Sequence, residues 1–205
     1  LGLEARADKF GNVVVCKPAS PGRERVRTVV LQGHLDMVCE KNKDTVHDFL
    51  KDPIVLVRKG DMLMADGTTL GADNGVAVAT SLAIMEDKSL EHGPLEFLFT
   101  VDEETGLTGA NNLGPDFLTG KTLLNLDSEE EGAVYVGCSG GRNTAARWAL
   151  TTDAAPAASM AGLLKITGLK GGHSGLEIDK NRGNSIKLLA RTLFALSELG
   201  VRMAS

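Results

Sequence analysis

The run Leu95-Glu96-Phe97-Leu98-Phe99-Thr100-Val101 is apolar at almost every position. That pattern suits a strand covered on both faces, not one with a wet side. A chain that carries such a strand must supply layers on both sides of a sheet, which points to an α/β architecture. Shorter apolar or β-branched runs at 13–16, 28–31, 122–126 and 133–136 read as further strands. Residues 54–58 and 62–65 flank Lys59-Gly60-Asp61 as a hairpin, and 74–85 have the apolar spacing and capping residues of a buried helix.

The texture changes after Gly140-Gly141. Residues 151–161 are rich in Ala, Thr, Pro and Ser and read as a loop or hinge. A strand is expected at 163–167, then a glycine-rich loop, Gly171-Gly172-His173-Ser174-Gly175. An amphipathic helix follows at 184–199, capped by Asn184 or Ser185 and stopped at Gly200. This places a domain boundary near Gly141, with one domain over 1–141 and the start of another over 142–205.

Composition narrows the function classes. A net charge of −5 leaves no basic face for nucleic acid and no polybasic membrane patch. No apolar run reaches the roughly 20 residues of a spanning helix, and no signal peptide opens the sequence. Cys16, Cys39 and Cys138 have no CxxC spacing, so a reducing, cytoplasmic setting fits best. The start at Leu1 leads to the expectation of a piece of a longer protein.

Chemistry-bearing residues gather where the apolar runs end. His34 and Asp36, two apart at the end of an extended run, point to the same side. Glu103 and Glu104 follow the most hydrophobic strand. Adjacent carboxylates at the mouth of a buried sheet repel unless a cation neutralises them, and on a strand they would point opposite ways and divide their roles, one on metal and one moving a proton. Asp73, in Gly71-Ala72-Asp73-Asn74-Gly75, reads either as a helix cap or as a carboxylate able to bridge two ions. Asp127 ends another strand, and the following Ser128-Glu129-Glu130-Glu131 can be a plain acidic loop. Each signal alone also fits a solvated acidic turn; their order and spacing together form a pattern.

The segments Gln32-Gly33-His34-Leu35-Asp36-Met37-Val38, Asp66-Gly67-Thr68-Thr69-Leu70-Gly71-Ala72-Asp73-Asn74-Gly75, Phe99-Thr100-Val101-Asp102-Glu103-Glu104-Thr105-Gly106, Leu124-Asn125-Leu126-Asp127-Ser128-Glu129, Gly137-Cys138-Ser139-Gly140-Gly141 and Gly171-Gly172-His173-Ser174-Gly175 carry a resemblance. With them the chain resembles the co-catalytic zinc aminopeptidase/carboxypeptidase/aminoacylase superfamily, most closely its aminoacyl-histidine dipeptidase branch, across nearly its whole length. The resemblance implies an α/β catalytic domain over 1–141, with a central mixed, largely parallel sheet flanked by helices, and over 142–205 the first part of an inserted α+β lid and dimerisation domain. It implies hydrolysis of unblocked dipeptides such as Xaa-His by a zinc-bridged water, with Glu103 as general base. His34 and Asp127 would bind the first zinc, Asp73 would bridge both ions, and Glu104 would bind the second. Asp36 would orient His34, His173 would stabilise the oxyanion, and the peptide bond after Asp73 would be cis. Mn²⁺ or Co²⁺ suit the same ligands, and a homodimer is implied.

Two expectations qualify the resemblance. The pattern calls for a second histidine on the second ion, and neither His47 nor His92 lies in a ligand motif; His173 is assigned elsewhere. The site should therefore be one ligand short, the parent protein active and these residues alone inactive. Within the superfamily an N-acyl amino acid deacylase or carboxypeptidase is the rival reading; for the fragment alone, an inactive binding module.

Overall fold

The computed structural model describes the chain except residues 129, 139, 143, 173–176 and 204–205. It divides into two compact units, Leu1–Gly140 and Gly141–Ser205. Among the described residues of the first unit there are seven strands: β1 (Glu4–Ala7), β2 (Val13–Lys17), β3 (Val29–His34), β4 (Leu56–Lys59), β5 (Met62–Ala65), β6 (Leu95–Thr100) and β7 (Thr122–Asn125). Five of them form a mixed sheet ordered β1-β2-β6-β3-β7, while β4 and β5 make a separate hairpin. β3 runs parallel to both β6 and β7, whereas β1–β2 and β2–β6 are antiparallel.

β6 sits at the centre of the sheet, and Glu96 through Thr100 are all buried. One face packs Phe97 and Phe99 with Leu31 and Met85, and on the other Val14, Val30 and Leu98 are fully or almost fully buried. Glu96 breaks the apolar run without disturbing it. Its carboxylate accepts the Thr119 and Gly120 N–H groups and the Thr119 hydroxyl, so a buried charge is fully partnered. Burial alone would raise its pKa, but these donors and Arg6 hold it below the ordinary carboxylate value.

The helix α1 (Ala72–Glu86) lies against β3. Its buried residues Asn74, Ala77, Ser81 and Met85 follow helical spacing on one face. The close approach depends on Gly33, where a Cβ would fall 2.6 Å from the Ala77 Cβ. Gly71 enters the helix with φ 75°, a left-handed conformation that glycine adopts freely. At the other end Lys17 Nζ donates to the carbonyls of Ile84 and Asp87, 2.6 and 2.7 Å away, supplying the positive charge that the last turn itself lacks.

In the second unit α4 (Ser185–Ser197), numbered after two short turns described below, is capped by Asn184, whose Oδ1 accepts the Lys187 N–H at 3.0 Å. The expected strands at 133–136 and 163–167 do not form. A strand exists only in a hydrogen-bonded ladder, and no described segment pairs with either run.

Candidate metal centre

The parallel register explains which side chains meet. His34 lies opposite Thr100, and Gln32 opposite Asn125. Two residues further along both β3 and the β7 extension brings His34 level with Asp127. The Leu126 N–H continues the ladder to Gln32 O at 2.9 Å. A polar rung ties the three strand ends below this level: Asn125 Nδ2 donates to Gln32 Oε1 at 2.6 Å, and Gln32 Nε2 to Thr100 Oγ1 at 3.1 Å.

His34 is 1% exposed. Its Nδ1 lies 2.8 Å from the main-chain oxygen of Asp36. A carbonyl only accepts, so Nδ1 carries a proton and donates, and a neutral imidazole then presents the Nε2 lone pair. That nitrogen faces Asp73 Oδ1 at 2.9 Å and Asp127 Oδ1 at 3.7 Å. A lone pair and two carboxylates converging within ligand reach form a donor set suited to a divalent ion of the zinc type. Ligand atoms of His34, Glu103 and Glu104 also come within 4.8 Å of one another.

Asp73 precedes the regular part of α1, with φ −88° and ψ 104°, and the Asp73–Asn74 peptide bond is cis, as the resemblance implied. Asn74 Nδ2 donates to Leu126 O at 3.1 Å and to Asp127 Oδ1 at 2.9 Å.

Beyond β6 the chain turns sharply. Asp102 is left-handed (φ 54°) and opens the short turn α2 (Glu103–Gly106), which is followed through left-handed Leu107 by α3 (Thr108–Asn111). Glu103 and Glu104 therefore do not alternate across a strand, as the sequence suggested; they open a helical turn. The Asp36 carboxylate receives that turn: Oδ1 accepts the Glu103 N–H at 3.1 Å and Oδ2 the Glu104 N–H at 3.0 Å. Its Oδ1 is 3.5 Å from His34 Nδ1, so the closer hold on the imidazole comes from the Asp36 main chain.

Charge is crowded here. Burial opposes a charged His34, but the hydrogen bond to Asp73, then Asp127 and Asp36, raise its pKa overall. Burial pushes the Asp127 carboxyl up; His34 opposes, Asp73 and Glu103 add to the rise, and it reaches about 6. Glu104 is raised by burial and by its neighbours Asp73 and Glu103, His34 opposing. Asp36 goes the other way: burial raises it, but the two N–H groups and its own backbone outweigh burial and lower it. Crowded carboxylates whose proton affinity rises are sites that a cation would relieve.

The structure thus brings His34, Asp36, Asp73, Glu103, Glu104 and Asp127 to one end of one sheet. His173 lies outside the described residues. His47 packs edge-on against Phe49, and His92 bonds Gly93 O; neither joins the cluster. Of the two caps offered for α4, Asn184 or Ser185, it is Asn184 whose side chain takes that role. Asn74 carries one signal in the sequence, its position next to Asp73 at the opening of a helix.

The chain is 48% identical over 197 residues to the cytosol non-specific dipeptidase of Escherichia coli (strain K12), covering 96% of this chain and 41% of that protein. The structure of an aminoacylhistidine dipeptidase from Vibrio alginolyticus matches with TM-score 0.66 and 45% identity over 94% of this chain and 39% of that one. The aminopeptidase PepT of Bacillus cereus ATCC 10987 matches with TM-score 0.51 and 29% identity over 63% of this chain and 35% of that chain. The chain therefore spans about two fifths of the length of the first two relatives. Residues 30–161 match peptidase family M20/M25/M40, and the segment so matched contains all six clustered residues; the chain belongs to that family.

Proposed function

We propose that these residues form the metal-binding half of a dipeptidase active site that hydrolyses unblocked dipeptides, Xaa-His among them. The observation that carries the reading is the His34 imidazole, held through Nδ1 by Asp36 O, with Nε2 aimed at Asp73 and Asp127. His34, Asp73 and Asp127 would hold one ion, and Asp73 with Glu104 a second; zinc fits the donors, and Mn²⁺ or Co²⁺ suit them too. When bound, such ions supply water activation and polarisation of the scissile carbonyl. Glu103, half-buried on the turn held by Asp36, is the proton acceptor for the attacking water and returns that proton to the leaving amine. His173 is assigned to the developing oxyanion. Asp36 sets the relative positions of the imidazole and the two glutamates.

The names of the dipeptidase relatives support the substrate class, and a cytosolic location is proposed on the same ground. No helix among the described residues is long and apolar enough to cross a membrane. Residues 1–141 are read as catalytic domain, and 142–205 as the first part of a lid through which the protein dimerises. With only Glu104 and shared Asp73 for the second ion among the described residues, this chain by itself is expected to bind one ion tightly and to turn over no dipeptide. Metal content per chain, measured with Xaa-His hydrolysis on the same sample, tests this. Two tightly bound ions with turnover would require another ligand and a redrawn site.

A further inference from the structure

We propose that Asn74 is a positioning residue of the metal centre: its side-chain amide locks the Asp127 carboxylate against the start of α1, fixing the two metal-binding aspartates, Asp73 and Asp127, relative to each other. The proposal rests on the metal-site reading above. Asn74 is 5% exposed, and Nδ2 has two hydrogens, both used: one to Leu126 O at 3.1 Å and one to Asp127 Oδ1 at 2.9 Å. Both acceptors lie on the extension of β7, whereas Asn74 follows Asp73 directly in the chain. One amide thus ties together the two segments that carry the aspartates. By anchoring Oδ1 it fixes the rotation of the Asp127 carboxylate, which decides which oxygen faces the ion.

The orientation of the amide follows from its surroundings. Turned over, its carbonyl would meet the Asp127 carboxylate and the Leu126 carbonyl, acceptor against acceptor. Oriented as it is, Oδ1 is buried with no hydrogen-bond partner. It lies over Gly33, where a Cβ would come within 2.4 Å of it. A buried carbonyl without a partner is destabilising, so packing alone would favour an apolar residue here. The polar residue makes sense through what its donor does for Asp127. Groups that orient ligands in this way typically change metal affinity by about 10–100-fold when removed.

The test is Co²⁺ and Zn²⁺ titration of the full 205-residue chain, of Asn74→Ala and of Asn74→Leu, the last retaining the branched shape without the amide. Metal-free melting curves establish which variants fold. Expected is a Kd raised about 10–100-fold in a folded variant, with an altered visible spectrum of bound Co²⁺. In an Asp127→Ala background the Asn74→Ala step should add less than about threefold, because its target is gone. Folded variants that bind within about twofold of wild type, or the same loss in both backgrounds, would overturn the proposal. If neither variant folds, the wild-type chain decides: zinc should shift the Asn74 side-chain amide resonance, and an amide unmoved at saturation overturns the assignment. A wild-type chain that binds neither ion would instead overturn the underlying metal-site reading, and this proposal with it.

Discussion

Replacing Asp36 by alanine should loosen the turn that carries both glutamates. The carboxylate accepts two main-chain N–H groups, at 3.1 and 3.0 Å. Hydrogen bonds to a charged group contribute about 1.5–3 kcal/mol each. The side chain is 23% exposed, so water replaces part of what is lost and the combined effect falls to about 2–4 kcal/mol. For a chain of this size that is a fall in Tm of about 4–16 °C. Asp36→Asn keeps one acceptor oxygen and should lose about half as much. The pH dependence has a definite sign. Asp36 titrates below its ordinary value in the fold, so its contribution is complete above the unfolded carboxylate range and disappears as the pH falls through the lower folded value. Circular-dichroism melts in chelator at pH 7 and pH 3 measure both effects. An alanine variant melting within about a degree of wild type at pH 7 would refute the role of Asp36 in holding the turn, as would a difference that persists undiminished at pH 3.

Under the proposed dipeptidase reading, Glu103→Gln in a protein that carries this segment and hydrolyses dipeptides should abolish turnover while zinc content stays at wild-type level; retained turnover would remove Glu103 as the proton acceptor. The Asp127 carboxyl, pushed up to about 6, and the raised His34 both favour the protonated fold, so the metal-free chain should lose stability as the pH rises from about 4 through 6 and on through the His34 titration, while zinc affinity increases over the same range. Calorimetry at pH 5 and pH 7.5 reads the second effect, and affinity that does not change with pH would contradict it. Phe97→Ala should destabilise the first unit by about 3–5 kcal/mol, because a fully buried ring at the sheet centre is replaced by a cavity; urea unfolding measures it. Lys17→Met should lower Tm by a few degrees, corresponding to about 1–2 kcal/mol for the lost hold on the end of α1, and an unchanged melt would show that the lysine is dispensable there.

What could be read from the residues depended on whether a segment carries its own instruction. β6 announces itself because continuous apolar sequence has few other uses, and α1 because residues 74–85 combine apolar spacing with capping residues. The runs at 133–136 and 163–167 also contain β-branched residues, yet no described segment pairs with them; propensity describes a half-buried pleated surface, and only a partner supplies one. The conformation of Glu103-Glu104 was hidden for a different reason. A non-glycine residue such as Asp102 in the left-handed region, φ 54°, is not predictable from its type, and the amide acceptor that stabilises the turn, Asp36, is 67 residues away in the chain.

That separation also explains why the local signals are weak one by one although the residues lie together in the fold. Asp36, Asp73, Glu103 and Asp127 each have an ordinary explanation as caps or acidic turns, and Asp36 does cap a turn. Parallel strands remove the ambiguity, because they deliver their ends to the same edge of the sheet and set them level, as the Gln32–Asn125 register does for His34 and Asp127. Once level, the carboxylates cannot be independent surface charges: burial and mutual repulsion raise Asp127 and Glu104 together. Among the described residues His34 is the single histidine in the cluster, and its Nδ1 proton is committed to Asp36 O. An arrangement with that much negative charge and one lone pair directed into it is stable in proportion to the cation it can hold, so binding and folding of this edge are coupled through the same residues.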